Sequence, residues 1–404
     1  MRRATLAFIF VTVVLDVLSL GIIIPVLPKL VETFEGGNTA KAAETFGLFA
    51  TAWALMQFFF MPVVGALSDR YGRRPVILVS CFGLGADYFV MALAPNLGWL
   101  FVGRLISGIT AASLSTAFAY VADVAPPEKR AASFGMVGAA FGLGFVLGPA
   151  LGGALGQVDP RLPFWVAGAM ALANAGYGYF VLPESLPAGK RARFSWKKAN
   201  PVGSLVLLRS HPELFGLALS NFLMQLAHMV LPAVAVLYMS YRYGWSELTV
   251  GLTLAGVGVC AMIVQGGLIK PVVGRIGERR ALALGLVFGA LGFAIYGLAP
   301  TGALFWLGVP VMSLWGLATP SAQALMTRRV SESEQGQLQG ASASITAIAG
   351  ILGPGLFTQT FSAFIGAHAA LHLPGAPFLL AGALLVASCA IAWSATRARS
   401  PWRQ

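Results

Sequence analysis

Three charged residues lie inside long apolar segments of the chain. Asp16 and Asp87 each lie in the middle of such a segment, and Arg104 lies near the start of another. A charge at the centre of a bilayer costs about 2.5–3.5 kcal/mol. Burial disfavours an ionised carboxylate and a nearby arginine favours it, so an aspartate placed between these effects can load and release a proton near neutral pH. We predict that the three residues form a proton-coupling cluster; a static Asp–Arg pair that holds helices together is the alternative.

The composition indicates that these apolar segments span a membrane. The 404 residues are 57% hydrophobic and only 10% charged, whereas soluble domains carry about 25% charged residues. This excludes an ordinary soluble enzyme and a disordered chain. The net charge of +12 would suggest nucleic acid in a soluble protein. Here the basic residues form short clusters between apolar spans, so the expected surroundings are the lipid bilayer and no nucleic-acid partner is predicted.

Motifs for metal binding or catalysis are missing from the sequence. Cys81, Cys260 and Cys389 all lie in apolar stretches without a CxxC pair or a histidine at metal-ligand spacing, so neither a metal site nor a disulfide framework is predicted. The sequence also has no GxSxG, HExxH or Walker loop, and a membrane enzyme is therefore not predicted.

We predict an all-α integral membrane protein with twelve transmembrane helices, because a span takes about 20 apolar residues. The predicted spans are 5–27, 44–66, 75–94, 98–121, 131–156, 162–182, 212–240, 247–269, 280–299, 303–326, 336–366 and 374–396. The first apolar run is too long for a signal peptide and is followed by no Ala-x-Ala site, so it is interpreted as the first span.

The loops predict the orientation of these spans. Of the 27 Lys and Arg residues, all but Lys29, Lys41, Arg104, Arg161 and Arg242 lie at the termini or in alternate loops on one side. The positive-inside rule places that side in the cytoplasm, together with both termini. The predicted organisation is an N-terminal six-helix half (1–182), a cytoplasmic linker (183–211) and a C-terminal six-helix half (212–404).

The two halves repeat each other at a fixed offset. Gly72 and Gly277, each after an even-numbered span, are 205 residues apart, and so are Gly148-Pro149 and Gly353-Pro354. Several matches in the same order indicate duplication. A parallel 6+6 repeat is typical of secondary transporters, which bind substrate near the midplane between the halves.

Several motifs carry a resemblance to one family. GALSDRYGRR (65–74) resembles the loop 2–3 signature of the major facilitator superfamily, and GLGFVLGPALGG (142–153) resembles the span-five signature of its drug/proton antiporters. LDVLSLGIIIPVLP (15–28), GRLISGITAAS (103–113) and MQLAHMVLP (224–232) are similar to the TetA-type tetracycline efflux proteins.

This resemblance implies the major facilitator fold and proton-coupled export of tetracycline, or a similar amphipathic drug, across the bacterial inner membrane by alternating access. It carries Asp16, Asp87 and Arg104 onto charged positions of those exporters, and Gln57 onto a glutamine of their second span. No cofactor is implied beyond the proton gradient, although a magnesium ion can accompany the drug. The expected partners are the drug and protons, and the expected functional form is a monomer.

The C-terminal half departs from the resemblance. Its span cores carry no acid or base except His228. The tetracycline exporters have an aspartate in span nine, where this sequence has Gly289, and many have a histidine in span eight, where it has Ala261. Whether the protein exchanges a metal–tetracycline cation for a proton therefore stays an open question. Proton coupling is expected in the N-terminal half, with His228 as a less favoured participant.

The remaining candidates are gating and binding residues. Asp69 follows the C-terminal end of span two, where the helix dipole disfavours an acid, so it is predicted to act as a latch to the other half, with Asp123 as a candidate partner of the neighbouring arginines. Glycines at i+4 spacing in span five predict either a tight surface between the halves or close packing within one half. The predicted gating residues are Gly65, Asp69, Arg70, Gly72, Arg73, Arg74, Asp123, Gly144, Gly148, Pro149 and Gly152. The predicted substrate-binding residues are Gln57, Asn221, Met224, Gln225, His228 and Gln323.

Two other transporter functions stay open at this point. An uptake symporter for a small metabolite would need more fixed polar groups in both halves, and the C-terminal spans lack charge. A multidrug transporter of the same fold with a different small-molecule substrate is the other alternative.

Overall fold

The computed structural model describes residues 2–111, 113–125, 130–187, 189, 191, 212–331 and 334–397. Within these residues the chain forms helices and no strand. Most of the predicted linker 183–211 lies outside the described residues. The α-helices are α1 Arg2–Ile23, α2 Leu27–Phe34, α3 Thr39–Tyr71, α4 Arg73–Leu93, α5 Leu97–Thr110, α6 Ser113–Val124, α7 Arg130–Val158, α8 Leu162–Val181, α9 Pro212–His228, α10 Val230–Tyr243, α11 Glu247–Ile263, α12 Ile269–Ile276, α13 Glu278–Leu298, α14 Gly302–Ser313, α15 Ala318–Thr327, α16 Gln335–Ile365 and α17 Ala376–Arg397.

These helices agree with the predicted spans, and the all-α membrane prediction is confirmed. Each predicted span coincides with one helix or with two consecutive ones. Ten stretches of the described residues are long and apolar enough to cross a membrane. One of them, Glu247–Leu298, contains two of the predicted spans, and α8 is outside the ten. The number twelve itself stays a prediction.

Some of the predicted spans are not continuous α-helices. Between α11 and α12 the chain makes a π turn, Val264–Leu268, which contains Gly266 and Gly267. Two consecutive glycines weaken the α-helical preference, and a π turn within a helix is often found at functional sites. The tenth predicted span is likewise interrupted, by a 3₁₀ turn at Leu314–Leu317 between α14 and α15.

The helices form two compact units, each with its own core. The first contains residues 1–38, 52–200 and 245–255, and the second contains 39–51, 201–244 and 256–404. The units therefore differ from the sequence halves at two places, because α3 and α11 each begin in one unit and continue in the other. The boundaries 1–182 and 212–404 stay predictions about the repeat.

The core of the first unit depends on close packing of α1 against α7. A Cβ atom built at Gly148 would lie 2.6 Å from Gly21 Cα, and one built at Gly152 would lie 2.0 Å from the carbonyl oxygen of Ile22. Small residues on one helix face allow such backbone approach in membranes. Gly144 packs in the same way against Val17. Gly144, Gly148 and Gly152 thus pack against α1 of the N-terminal half, and their role in gating stays a prediction.

Aromatic side chains fill the core of the second unit. The rings of Tyr296 and Phe305 stack with centroids 4.2 Å apart, and Tyr238 meets Phe378 edge-to-face at 4.9 Å. The Tyr238 hydroxyl donates to the backbone oxygen of Tyr296 at 2.8 Å. Tyr238 thus buries its ring and satisfies its polar end, as buried tyrosines usually do, whereas the Tyr296 hydroxyl is buried without a hydrogen-bond partner.

The duplication inferred from sequence is visible in the backbone. Gly72, before α4, has φ 108° and ψ 160°, and Gly277, before α13, has φ 77° and ψ 161°. Positive φ at this position favours glycine over other residues. The same turn therefore recurs at the same place of the repeat, where each sequence half begins its third span.

We expect Gly152→Ala to lower the thermal stability of the detergent-solubilised protein. The new methyl group would meet the Ile22 carbonyl oxygen, and overpacking of this kind costs about 1–3 kcal/mol. The matched control is Gly138→Ala on the same helix, because a Cβ atom there meets nothing within 4 Å. Equal melting temperatures for the two variants would contradict the close contact between α1 and α7.

Candidate functional site

Asp87 lies at the centre of the candidate site in the first unit. Its side chain is fully buried on α4, and neither carboxylate oxygen has a hydrogen-bond partner. Gly103 allows α5 to approach it, because a Cβ atom there would lie 2.8 Å from Oδ1 of Asp87. Buried polar atoms without partners are rare and mark sites where water, a proton or another ligand has a role.

Arg104 brings the opposite charge to this site. It follows Gly103 on α5 and interacts electrostatically with Asp87. Its guanidinium carbon lies 5.0 Å from the ring centroid of Trp53 on α3, which is a cation–π distance. Ser107 lies one turn further along α5 and also interacts with Asp87. Sequence analysis placed Arg104 here but missed Trp53 and Ser107, since an aromatic or a serine in a span is usually only packing.

Asp16, the second acid, lies buried on α1 in the same unit. Its charge and that of Asp87 both act on Tyr88, whose hydroxyl is buried without a hydrogen-bond partner. Asn174 of α8 ties the neighbouring helices together: its Nδ2 donates to the Thr12 carbonyl oxygen of α1 at 2.9 Å. The structure therefore brings Asp16, Asp87 and Arg104 into one unit, around a tyrosine that the sequence did not single out.

The turn between α3 and α4 carries a network of charges around Arg73. The Arg73 guanidinium pairs with Asp69 at 2.6 Å and with Oδ2 of Asp123 on α6 at 3.1 Å. It also donates to the Ser68 hydroxyl at 2.6 Å. These contacts join the end of α3 to α4 and α6 within the first unit. Asp123 is thus a partner of one of the predicted arginines, while the role of Asp69 as a latch stays a prediction.

A carboxylate from beyond α8 completes this network. Oε1 of Glu184 accepts hydrogen bonds from the backbone N–H of Arg73 at 2.9 Å and of Leu186 at 3.0 Å. An acid at a helix N-terminus satisfies free N–H groups and suits the helix dipole. A Cβ atom at Gly72 would lie 2.2 Å from Oε2 of Glu184 and would displace this carboxylate, while the φ of 108° itself favours glycine. Sequence analysis missed Glu184 because it treated the segment only as a linker.

The other predicted gating residues make simpler contacts. The guanidinium of Arg74 donates to the Tyr179 carbonyl oxygen, and that of Arg70 lies 5.1 Å from the Tyr71 ring centroid. A Cβ atom at Gly65 meets nothing within 4 Å. Arg74 therefore ties α4 to α8, and no structural reason for glycine is visible at residue 65.

Two contacts join elements that the sequence places in different halves. A Cβ atom at Gly251 of α11 would lie 2.2 Å from the Pro149 carbonyl oxygen of α7. In the second unit, the Ser362 hydroxyl of α16 donates to Oε1 of Glu44 on α3 at 2.7 Å. Within each unit, therefore, a short segment of one sequence half packs closely against a long helix of the other. Glu44 is a further residue that sequence analysis missed.

Most of the predicted substrate-binding residues lie in the second unit, and one of them contacts Trp315. The ring of His228, at the end of α9, lies 5.7 Å from that of Trp315. Nε1 of Trp315 and Nε2 of Gln323 are both buried without a hydrogen-bond partner. Gln225 donates to the Thr346 hydroxyl at 2.8 Å. Asn221 and Met224 are buried on α9. Gln57, the remaining candidate, belongs to the first unit, one helical turn after Trp53 on α3.

Trp315 also occupies the space beside Gly289. A Cβ atom at Gly289 would lie 2.8 Å from Cγ of Trp315 and 2.7 Å from Cδ1 of Leu385. An acidic side chain has no room at this position of α13. At this position, where the resemblance implies an acid, the core of the second unit is instead filled by an indole.

Comparison with known proteins identifies the fold and family. The sequence profile described as Major Facilitator Superfamily matches residues 9–354 and 217–404. The chain belongs to the major facilitator superfamily. This member is 37% identical over 355 residues to the class C tetracycline resistance protein of Escherichia coli, covering 87% of this chain and 88% of that protein. It is also 37% identical to the class G tetracycline resistance protein of Vibrio anguillarum, covering 90% and 92%.

Solved structures agree with this assignment. The human organic anion transporter TETRAN matches with a TM-score of 0.70 and 25% sequence identity, over 97% of this chain and 99% of that one. The nucleoside transporter NupG matches with a TM-score of 0.80 at 12% identity, over 98% and 100%, which shows the fold alone. This superfamily member is a multi-pass membrane protein, and the family resemblance inferred from sequence is confirmed.

We expect Asp69→Asn to lower the turnover number by up to about fivefold while equilibrium drug binding stays within about twofold. The neutral amide weakens one of three contacts of Arg73, and a partly exposed ion pair is worth about 0.2–1 kcal/mol. Turnover in proteoliposomes and binding to purified protein would be measured side by side. Loss of binding with normal turnover at saturating drug would contradict the assignment of Asp69 to gating.

We expect Gly289→Asp to lower thermal stability, and Trp315→Ala to rescue it in the double variant. The aspartate needs the space that the indole fills, so the two changes should couple by more than 1 kcal/mol, as residues in direct contact do. The control is Gly274→Asp, because nothing lies within 4 Å of a Cβ atom there. Additive effects of the two substitutions would show that Trp315 does not exclude the acid.

Proposed function

We propose that this superfamily member is a proton-coupled antiporter that exports tetracycline or a similar amphipathic drug across the bacterial cytoplasmic membrane. Its similarity to tetracycline resistance proteins over nearly nine-tenths of its length supports this function. The observation that carries the proton-coupled part is Asp87, a fully buried carboxyl group on a membrane helix with an arginine beside it.

The chemistry proposed for Asp87 follows from its surroundings. A buried charge without hydrogen bonds costs several kcal/mol, so Asp87 has either to hold a proton or to gain a partner. Arg104 can supply that partner after the proton leaves, and Asp16 lies in the same unit as a second carboxyl group. Proton binding and drug binding then exclude one another through the charge of the site, and inward proton flow drives drug export.

The second unit supports a broad, hydrophobic substrate range. It offers the neighbouring rings of Trp315 and His228 and the unpartnered amide nitrogen of Gln323, and Trp315 and Leu385 fill the space beside Gly289 where an acid would stand. A cationic metal–drug complex lacks a carboxylate there to neutralise it. We therefore propose that the drug is carried with weaker dependence on magnesium than in a transporter with such an acid, and that the protein needs no resident cofactor.

The same observation keeps a general multidrug transporter as the second candidate. Aromatic rings and unpartnered amide donors can accommodate different planar, amphipathic molecules because they fix few contacts. Transport of several unrelated drugs with similar efficiency would favour this candidate, and transport of tetracyclines alone would favour the first.

The remaining parts of the proposal concern location and form. The basic clusters of the sequence support a cytoplasmic location for both termini. Function as a monomer is part of the proposal. Cysteine-accessibility labelling at the termini and size-exclusion chromatography with light scattering would test these two points.

The direct test is resistance and transport. The protein would be expressed in a drug-sensitive bacterial host, and tolerance to tetracycline, chloramphenicol and a fluoroquinolone would be compared. Purified protein in proteoliposomes would then be given an inside-acid or an inside-alkaline pH gradient, with and without magnesium. Drug accumulation that reverses with the gradient supports antiport, and accumulation independent of the gradient contradicts it.

We expect Asp87→Asn to abolish drug accumulation against a gradient, by at least about 100-fold, while folding and expression remain. The amide is nearly the same size but cannot carry a titratable proton. Energy-independent counterflow should survive, because it needs no net proton movement. The matched control is Asp159→Asn, the same acid-to-amide change at an exposed residue of the same unit. Undiminished resistance of the Asp87→Asn strain at equal protein level would refute the coupling role.

A further inference from the structure

Trp53 contributes a ring face but no hydrogen bond in the first unit. Its Nε1 is buried without a partner, while the guanidinium carbon of Arg104 lies 5.0 Å from its ring centroid. Tryptophan gives the strongest cation–π interaction of the aromatic side chains. The indole is therefore positioned to hold a cation rather than to donate its N–H group.

The position of this ring is fixed by close backbone packing. A Cβ atom at Gly108 of α5 would lie 2.8 Å from the Trp53 carbonyl oxygen and 2.6 Å from Cβ of Met56. The helices α3 and α5 thus meet at backbone distance one turn beyond Arg104. The backbones that carry Trp53 and Arg104 are therefore close together, and the long Arg104 side chain can change partner without a movement of the helices.

Arg104 has two possible partners, and the structure shows it with one of them. Both oxygens of Asp87 lack a hydrogen bond, so the guanidinium does not form a hydrogen-bonded ion pair with this carboxyl group. It lies over the Trp53 ring instead. A buried carboxylate left without hydrogen bonds is unstable as an anion, whereas a neutral carboxyl group tolerates this arrangement.

We propose that Trp53 is a positioning residue that holds Arg104 away from Asp87 while Asp87 carries a proton. When the proton leaves, Arg104 moves from the indole face to the carboxylate and forms the ion pair. The indole face and the carboxylate thus compete for one guanidinium, and the strength of the cation–π contact sets how readily Asp87 gives up its proton.

Few other charged groups lie near Asp87. Asp16 of α1 is the other acid whose charge acts near the Asp87–Tyr88 pair. Helix α8, which packs against α4, carries no charged residue between Leu162 and Val181. Helix α6 brings Tyr120 and Asp123, whose contacts are with Pro183 and Arg73. Arg104 is therefore the basic group that faces Asp87 from the described helices packed against α4.

The proposal rests on the proposed proton coupling but not on the identity of the drug. The measurement is accordingly made without drug, on purified full-length protein in lipid. Infrared difference spectra recorded over a pH series follow the C=O stretch of the protonated carboxyl group, and Asp87→Asn assigns the band of Asp87. Drug transport is measured separately.

We expect Trp53→Leu to lower the midpoint of this titration by about 0.5–1.5 pH units, the equivalent of one lost cation–π contact. Without the ring, Arg104 pairs with Asp87 more readily, so the proton is held less tightly and leaves at lower pH. Trp53→Phe should give a smaller shift in the same direction. An unchanged or raised midpoint in folded Trp53→Leu protein would overturn the proposal.

The matched control is Trp393→Leu in the second unit. Trp393 also packs under a guanidinium, with Cζ of Arg279 4.1 Å from its ring centroid. Among the described residues the buried acids are Asp16 and Asp87, both in the first unit. The control should leave the Asp87 midpoint unchanged. An equal shift in both variants would show a general effect of losing tryptophan and would also overturn the proposal.

A graded series keeps the test decisive if Trp53→Leu does not fold. Tryptophans with increasing numbers of fluorine atoms are introduced at residue 53 alone. Each added fluorine lowers the negative potential on the ring face with little change in size. A stepwise fall of the midpoint supports the cation–π role, and a constant midpoint contradicts it. Failure of tetracycline transport with a preserved midpoint shift would refute the proposed substrate and leave the role of Trp53 standing.

Discussion

The cost of a buried charge is the constraint on which the first unit depends. Asp87 is fully buried and its oxygens have no hydrogen-bond partner, which would be unfavourable in any static structure. In the proposed mechanism this cost is met because Asp87 holds a proton and gives it up during transport. Gly103 opens the approach of α5, and Arg104 provides the compensating charge within reach.

Close helix contacts provide the rigidity that such a site needs. In the bilayer the hydrophobic effect does not drive helices together, so tight packing through small residues has to do so. Gly148 and Gly152 bring α7 onto α1, and Gly108 brings α5 onto α3. The small size of glycine also explains the packing at Gly289, where the absence of a side chain makes room for an indole. Glycine therefore shapes both units. In the first unit Gly103 leaves space for the Asp87 carboxyl group, and in the second Gly289 leaves space for an indole that excludes an acid.

Much of this architecture could be predicted from the sequence. Apolar runs predict helices reliably because a span has little alternative in lipid, and rare charges such as Asp16 and Asp87 are conspicuous. The positive φ at Gly72 and Gly277 follows the repeat. The partners of these residues could not be predicted, since Trp53 and Tyr88 are ordinary residues in an apolar span. Nor could the glycine stripe be assigned to one surface, because its i+4 spacing fits contact with either half.

The hydrogen bond from Arg73 to Glu184 has a consequence for biosynthesis. The two residues are 111 positions apart, so the first turn of α4 leaves the ribosome long before its carboxylate cap exists. At about 5–20 residues per second, the delay is on the order of ten seconds. During that time the turn at Gly72 has open N–H groups and no acid to satisfy them. The helices α1 to α8 therefore reach their final connections only after α8 has been made, and a chain that stops before residue 184 leaves this turn unfinished.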